Sequence, residues 1–312
     1  MIKYFKTIDN RIEEIENFQK DCWINITHPD DEELEELVLK HDVPADFLID
    51  STDIDERSRV EREDDYNLVI LRIPFASKSE NDIPFTTIPL GIIFNEKLFI
   101  SVCNKNNELI SEFTRKRVKF KSFSTSKHIR FVLEIFKRTA VLYLQYLKEI
   151  NRRFTAIEDS LHESMNNNKL IELQELERCL IYFSTSLKSN EITFEKFNKT
   201  KNIILNAEER EIFDDILIEH KQALEMAIVY DNILSKMIQS FSSIISNNLN
   251  ITVKFLSAIT IILMLPTLIT SMYGMNVKLP FQEHPLGFYF VIGVSVILTI
   301  LSVYIFIKKK WF

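Results

Sequence analysis

Two long stretches without a charged side chain constrain this chain more than any other feature. Residues 255–277 contain no Asp, Glu, Lys or Arg over 23 positions, and residues 285–307 form a second such stretch of 23. The 254 residues before them are densely charged. A helix needs roughly 20 apolar residues to cross the hydrocarbon core of a bilayer. The sequence therefore predicts a large water-exposed part, followed by two helices whose partner is a lipid bilayer.

The positions of the lysines predict how these helices are oriented. Lys308, Lys309 and Lys310 directly follow the second stretch. Positively charged residues stay on the cytoplasmic side of a membrane, so the C-terminus is predicted to be cytoplasmic, and two spans return the chain to the side where it began. The N-terminal residues lack the apolar core of a signal peptide. We predict a multi-pass protein of the plasma membrane with both termini in the cytoplasm.

The remaining patterns predict an α+β membrane protein. Apolar runs rich in β-branched residues at 67–73, 90–94 and 97–102 predict strands, and an amphipathic run at 32–41 predicts a helix. No Gly or Pro occurs from Lys127 to Leu265, which predicts long helices over 127–165, up to about 202, and from about 207 into the first span. Loops are predicted at 76–82 and 166–168. The expected segments are a cytoplasmic α/β domain at 1–126, a helical stalk at 127–250, a first transmembrane helix at 251–276, an outer loop at 277–286, a second transmembrane helix at 287–307 and a basic tail at 308–312.

Composition and motifs exclude several classes of function. The net charge of −7 argues against nucleic acid as a partner, because proteins that bind it carry a basic face. Four glycines are too few and too scattered to form a phosphate-binding loop or a dinucleotide fingerprint, so no nucleotide is expected. His162-Glu163 lacks the second histidine of a zinc-protease motif, and no enzyme is predicted. The acidic part suits divalent cations or simply promotes solubility. Cys22, Cys103 and Cys179 are expected to be buried thiols.

A stripe of mainly polar and small side chains runs along the first span. Its members recur at alternating spacings of three and four residues and share one helix face: Asn250, Val253, Ser257, Thr260, Met264, Thr267 and Ser271. Such a stripe either faces a water-filled path, or consists of hydroxyl groups bonded to the preceding turn and small residues that pack helices. One helix cannot enclose a pore, so the first alternative requires an oligomer.

The motif Tyr273-Gly274-Met275-Asn276 stands at the outer end of this stripe. Placed at the close of the first of two C-terminal spans, with a lysine-rich tail after the second, it resembles the CorA family of magnesium channels. Trp23-Ile24-Asn25 is similar to an early strand of that family. Leu48-Ile49-Asp50 and Arg57-Ser58-Arg59-Val60-Glu61 are similar to its Glu-Asp … Arg-Pro-Lys-Val-Glu segment. The resemblance extends over nearly the whole chain.

The resemblance implies a funnel-shaped homopentamer that admits Mg²⁺ to the cytoplasm. Its selectivity filter would consist of Tyr273, Gly274, Met275 and Asn276. The implied pore-lining positions are Asn250, Val253, Leu256, Thr260, Met264 and Thr267, together with Asn276. Val253 and Leu256 would form a hydrophobic constriction, which blocks ions by dewetting.

The resemblance also implies regulation by the transported ion. Cytoplasmic Mg²⁺ would bridge Asp50 of one subunit and Asp215 of the next and thereby stabilise a closed state. The alternative is that both aspartates are solvated surface charges. Ile49 replaces a glutamate found in much of the family, and Gln239 stands where relatives carry a second stalk acid, which puts the number of regulatory ions in question.

Two other functions stay open at this stage. A zinc transporter of the same superfamily, or a transporter of cobalt or nickel, would keep the fold and change the ion; Met275 within the motif favours the magnesium branch. A membrane-anchored coiled-coil scaffold would conduct no ions. The polar stripe that ends in Gly-Met-Asn argues against such a scaffold.

Overall fold

The computed structural model describes residues 1–9, 11–77, 82–114, 124–163, 167–277, 279–280, 285–309 and 311, with the backbone alone at 161–163 and 167. The chain divides into two units, Met1–Lys236 and Met237–Phe312. The predicted loops at 76–82 and 166–168, the outer loop at 277–286 and the tail at 308–312, including Lys310, lie partly outside the described residues.

The first unit is built on a seven-stranded sheet with the order β2-β1-β3-β7-β6-β5-β4. The strands are β1 (Ile2–Ile8), β2 (Arg11–Ile15), β3 (Trp23–Thr27), β4 (Arg59–Glu63), β5 (Tyr66–Ala76), β6 (Phe85–Phe94) and β7 (Phe99–Cys103). Only β3 and β7 pair in parallel. The three predicted strands are confirmed in β5, β6 and β7. β7 begins late because the Asn95 side chain accepts hydrogen bonds from the backbone N–H groups of Lys97 and Leu98 and closes a turn there.

Helices cover both faces of this sheet. On one face α1 (Asp31–His41) and α2 (Ala45–Thr52) share a core with inward-facing strand residues. The other face packs against α3 (Glu108–Thr114), α4 (His128–Glu163), α5 (Asn167–Lys199) and the first turns of α6 (Ala207–Tyr273). The central strands are therefore buried on both sides, as their nearly continuous apolar runs require. The predicted α/β domain is confirmed, and all three cysteines are buried free thiols as expected.

The long helices follow the predicted pattern closely. α4 matches the helix predicted over 127–165, and α5 ends three residues before the predicted position. α6 begins at Ala207 because Asn206 caps it: the Asn206 side chain accepts the Glu209 N–H at 2.9 Å, and Glu209 accepts the Asn206 N–H at 3.0 Å. The helix continues through Pro266 to Tyr273.

Asn190 of α5 fastens this helix to the sheet. Its amide side chain pairs with the backbone of Arg72 in β5, accepting the Arg72 N–H at 3.0 Å and donating to the Arg72 carbonyl oxygen at 2.8 Å. The same side-chain oxygen accepts the Ser58 hydroxyl at 2.6 Å, just before β4 begins. Asn190 is fully buried, so a fixed hydrogen-bonding geometry holds the start of β4 in place.

Gly91 of β6 marks a close approach between α2 and the sheet. A Cβ atom added to Gly91 would overlap the Oγ and Cβ atoms of Ser51 and lie 3.3 Å from its Cα. Ser51 is fully buried and donates its hydroxyl to the Phe47 carbonyl oxygen at 2.6 Å. Only glycine at position 91 therefore lets α2 pack this closely against β6.

We expect Gly91→Ala to destabilise the first unit by about 1–3 kcal/mol, the usual cost of an overpacked core. The measurement is the unfolding midpoint of the purified full-length protein. Gly293→Ala is the matched control, because an added Cβ at Gly293 meets no atom within 4 Å. Adding Ser51→Gly to Gly91→Ala relieves the overlap, so failure of this double variant to recover stability would contradict the packing argument.

The second unit contains the C-terminal part of α6 and the helix α7 (Gly287–Lys308). Ala258 of α6 is fully buried, and Ser295 of α7 is 8% exposed. These two positions are therefore covered within the single chain. The boundaries of the predicted segments within this unit remain predictions, although the first helix ends three residues before the predicted position 276.

Candidate ion pathway and regulatory cation site

Two helices of the described chain are long and apolar enough to cross a membrane, Ala207–Tyr273 and Gly287–Lys308. Only 6% of the most apolar window of the first and 11% of that of the second are buried. The core helix of a soluble protein would be mostly buried, so these exposed apolar surfaces need lipid or further protein to cover them. The two charge-free stretches therefore form helices of the kind that the sequence predicts.

The predicted pore-lining residues of α6 all lie on the exposed side of the helix in the single chain. Val253, Leu256 and Met264 are 52%, 63% and 64% exposed, and Asn250, Thr260 and Thr267 are exposed as well. Between Ser257 and Ile269 the covered or half-covered side chains lie mainly on the opposite face, at Ala258, Ile259, Ile262, Leu265, Pro266 and Ile269, and the stripe residue Ser257 is half-covered as well. The other members of the polar stripe are exposed in the single chain.

The threonine hydroxyls in this stripe bond to the helix backbone. Thr260 donates to the Leu256 carbonyl oxygen and Thr267 to the Leu263 carbonyl oxygen, each at 2.9 Å. The alternative in which these hydroxyls bond to the preceding turn is correct for both residues. It does not oppose a pore, because each hydroxyl oxygen keeps lone pairs that can accept a hydrogen bond from water.

The Tyr-Gly-Met-Asn motif spans the end of α6. The Gly274 N–H donates to the carbonyl oxygens of Thr270 at 3.0 Å and Ser271 at 3.2 Å, and the Met275 N–H donates to Met272 at 3.2 Å. This shift from four-residue to three-residue spacing tightens the last turn. Asn276 follows outside the helix and is exposed.

Among the described residues, no contact requires glycine at position 274. Its backbone φ is not positive, so it does not form the left-handed cap that usually selects glycine. A Cβ atom added here would lie 3.5 Å from the nearest carbonyl oxygens, which is ordinary contact. The small side of this turn is therefore available to a neighbouring chain or to an ion.

Tyr273 differs in role from the other three motif residues. Its hydroxyl donates to the Pro280 carbonyl oxygen at 3.1 Å, and its ring is half-buried while Gly274, Met275 and Asn276 are exposed. Tyr273 thus contacts the segment that follows the helix, and the assignment of all four motif residues to a filter stays a prediction. Residues 278 and 281–284 of this loop lie outside the described chain.

We expect Tyr273→Phe to lower the rate of cation uptake by up to about fivefold, because the lost hydrogen bond contributes about 1 kcal/mol to docking of the loop. The measurement is initial uptake into proteoliposomes at equal protein density. Tyr304→Phe removes an exposed hydroxyl from α7 and serves as the control. Equal uptake rates for both variants would show that the hydrogen bond from Tyr273 to Pro280 has no effect on cation uptake.

Asp50, a predicted regulatory residue, lies in α2 and is already engaged within its own chain. Its Oδ2 atom accepts a hydrogen bond from Nη2 of Arg59, whose other nitrogens contact Glu56 and Glu61. Burial alone would lower the pKa of Arg59, but these three carboxylates outweigh it and raise that pKa above its ordinary value. Asp50 thus belongs to a cluster of three acids around one guanidinium group.

Asp215, the other predicted regulatory residue, lies on α6 beside Asp214, and both side chains are exposed. Among the described residues, no group of three or more His, Cys, Asp or Glu side chains is placed to hold a metal ion. The partner that Asp50 has in the single chain is Arg59. A cation site that uses Asp50 and Asp215 therefore has to be completed by water or by another copy of the chain.

Sequence reasoning missed two of these features. It included Arg59 only as part of a family-like segment, and it did not predict the hydrogen bond from Tyr273 to Pro280. The ion pairs of Arg59 with Glu56 and Glu61 join near neighbours in the sequence and had a visible signal in their alternating charges. The bond from Tyr273 to Pro280 depends on how the outer loop folds back and left no such signal.

Comparisons with known proteins agree with this architecture. The chain matches the family model described as CorA-like Mg²⁺ transporter protein over residues 18–309. It is 29% identical over 301 residues to the cobalt/magnesium transport protein CorA of Methanocaldococcus jannaschii, covering 93% of this chain and 90% of that protein. The complete structure of the CorA magnesium transporter from the same organism superposes with a TM-score of 0.82 at 25% identity, covering 100% of this chain and 99% of that one.

A more distant neighbour shares the fold alone. The cytoplasmic domain of ZntB from Vibrio parahaemolyticus superposes with a TM-score of 0.58 at 13% identity, covering 80% of this chain and 97% of that domain.

Proposed function

This chain belongs to the family of CorA-like Mg²⁺ transporter proteins, and we propose on that basis that it is one subunit of a homopentameric channel for divalent cations. The channel lies in the plasma membrane with both termini of each subunit in the cytoplasm. It admits Mg²⁺, which serves both as the permeant and as the regulatory ion.

The observation that carries this proposal is the open face of α6. Asn250, Val253, Leu256, Thr260, Met264 and Thr267 are exposed, whereas the opposite face is covered or half-covered from Ala258 to Ile269. A polar stripe in a membrane helix is stable against water or other polar groups and not against lipid. Several copies that turn this face inward would enclose a path lined by hydroxyl, amide and thioether groups. The number five comes from the family resemblance.

Asn276 is proposed to select the ion at the outer end of this path. Mg²⁺ releases its water ligands reluctantly and prefers octahedral oxygen coordination. A ring of neutral amide oxygens can accept hydrogen bonds from the hydrated ion without removing its waters. Carboxylates in the same place would hold the ion more tightly and delay its release. Gly274 leaves room beside this ring, and Tyr273 holds the outer loop near it.

Regulation is proposed to depend on Asp50 and Asp215. Carboxylate oxygens are the ligands that Mg²⁺ prefers, so the chemistry of these two side chains fits the ion. Asp215 is exposed on α6, and Asp50 retains its Oδ1 atom beside the Oδ2 atom that Arg59 contacts. Asp50 of one subunit and Asp215 of the next would together bind an ion in the closed state, and loss of that ion would shift the population toward open states.

A second candidate keeps the channel and changes its cargo. The relative from Methanocaldococcus jannaschii is named a cobalt/magnesium transport protein, which makes Co²⁺ a specific alternative substrate. Zinc transport has less support, since the ZntB domain shares only the fold. A scaffold that conducts no ions would not explain why polar side chains are exposed along α6.

The experiment that tests the proposal measures Mg²⁺ uptake into proteoliposomes that contain the purified protein and an entrapped magnesium-sensitive dye. An inside-negative potential should drive uptake, and Co²⁺ and Zn²⁺ are tested as competing ions. Particle mass in detergent is measured on the same preparation. Potential-driven Mg²⁺ uptake by pentamers supports the channel. Zn²⁺ uptake coupled to protons contradicts the magnesium assignment, and monomers without flux contradict the channel altogether.

A further inference from the structure

The guanidinium group of Arg59 is surrounded by acids in an arrangement that uses all of its nitrogens. Nη2 contacts Asp50, Nη1 contacts Glu56, and Nε lies 3.0 Å from the Glu61 carboxylate. Arg59 thus forms an ion pair with Asp50, the carboxylate that the proposed regulatory ion would bind. The segment Arg57–Glu61 resembles a family segment with lysine at this position, and a lysine ammonium lacks the planar fork that lets arginine hold several carboxylates at once.

The chain holds this cluster in place from two sides. Arg72 is half-buried, and loss of solvation lowers its pKa. Its guanidinium donates to the backbone carbonyl oxygens of Ile54 and Glu56, and at 2.8 Å to that of Thr87 in β6. Ser58 donates to the buried Asn190 side chain of α5. The loop between α2 and β4 is therefore fixed immediately before Arg59, so the position of the cluster is built into the fold.

We propose that Arg59 is an internal cation that competes with the regulatory divalent ion for Asp50 and so sets the concentration at which that ion binds. This inference rests on the proposed regulatory role of Asp50. When no divalent ion is bound, Arg59 neutralises part of the charge of three carboxylates. When the ion binds, Arg59 releases Asp50 and keeps its contacts to Glu56 and Glu61.

The energetics of the cluster allow such an exchange. Arg59, Asp50 and Glu61 remain partly exposed to solvent, and ion pairs in that setting contribute little to stability because water screens them. Asp50 can therefore change partners at low cost. The divalent ion brings twice the charge of a guanidinium group, but it has to bind close to Arg59, and the repulsion between the two lowers its affinity.

The test measures Mg²⁺ binding to the purified full-length protein in detergent by isothermal titration calorimetry. Arg59→Gln should bind Mg²⁺ about 5- to 20-fold more tightly than the unchanged protein, the effect expected from removing one positive charge about 5 Å from a divalent ion in a medium close to water. Arg59→Lys keeps the positive charge, so its Mg²⁺ affinity should be closer to that of the unchanged protein than the affinity of Arg59→Gln is. It also provides a readout if Arg59→Gln folds poorly.

Arg62→Gln is the matched control. Arg62 lies on the same strand, β4, but its guanidinium donates to the Asp64 carbonyl oxygen at 3.2 Å and contacts no carboxylate among the described residues. It should leave Mg²⁺ affinity unchanged. In an Asp50→Asn background, Arg59→Gln should no longer tighten binding, because the contested ligand is gone.

The outcomes separate this inference from the proposed function. Unchanged Mg²⁺ affinity in Arg59→Gln, or tightening that persists with Asp50→Asn, would overturn the role of Arg59 even if proteoliposomes conduct Mg²⁺. Tightening that depends on Asp50 in a protein that conducts no ion would support Arg59 and contradict the channel. If Asp50→Asn alone leaves Mg²⁺ binding intact, Asp50 is not a ligand and the competition is overturned with it.

Discussion

Asn276→Ala is expected to lower Mg²⁺ uptake by at least about tenfold while leaving the oligomer and its stability unchanged. Each water-mediated hydrogen bond to a hydrated ion contributes about 1 kcal/mol, so the loss of two such bonds lowers occupancy of the filter about thirtyfold. Asn276 lies outside the helix and is exposed, so truncation of its side chain removes no packing. The measurement is initial uptake into proteoliposomes under a fixed inside-negative potential.

Asn247→Ala provides the control for this prediction. Asn247 is an exposed asparagine as well, but it lies within α6 and is not one of the predicted pore-lining residues. Its uptake rate should equal that of the unchanged protein. Uptake by Asn276→Ala within twofold of the unchanged rate would remove Asn276 from the filter, and an equal loss in both variants would point to a general effect of asparagine truncation on assembly.

The membrane part of this protein could be predicted largely from its sequence, because the constraint there is local. A span needs an uninterrupted apolar stretch, and residues 255–277 and 285–307 provide it without reference to the rest of the fold. Most members of the polar stripe are likewise exposed in the structure, although Ser257 is half-buried. The long helices were predictable because Gly and Pro are absent from residues 127–265.

The sheet was less predictable because its packing depends on residues distant in the sequence. No prediction included β1 or the edge strand β2. β2 is only five residues long and three of these are charged, so it carries little apolar signal. Gly91 is required by Ser51, 40 positions earlier in the sequence, and Asn190 pairs with Arg72 across 118 positions. Such contacts leave no periodic pattern in the sequence.

The candidate sites divide in the same way. Asn276 could be proposed from a motif at a span end, whereas the engagement of Asp50 by Arg59 depends on a loop that Arg72 and Asn190 hold in place. The pairing of Asp50 with Asp215 would join two copies of the chain and stays a prediction. The family resemblance therefore identified Asn276, Asp50 and Asp215 as candidates, and only the structure showed that Asp50 contacts Arg59.

Leu256→Asn is expected to raise Mg²⁺ uptake about tenfold or more under conditions that close the unchanged channel, namely millimolar Mg²⁺ inside the proteoliposomes. A ring of Val253 and Leu256 side chains, one turn apart and both exposed in the single chain, would exclude water and thus ions. Keeping a leucine side chain out of water is worth about 1.5–3 kcal/mol, so replacing it in every subunit removes most of the barrier to wetting.

Ile251→Asn is the matched control, since Ile251 is 54% exposed on the same helix but lies outside the polar stripe. A leak in Ile251→Asn as large as that in Leu256→Asn would show that any polar residue at this depth loosens the helices, whereas a closed Leu256→Asn channel would place the constriction elsewhere along α6.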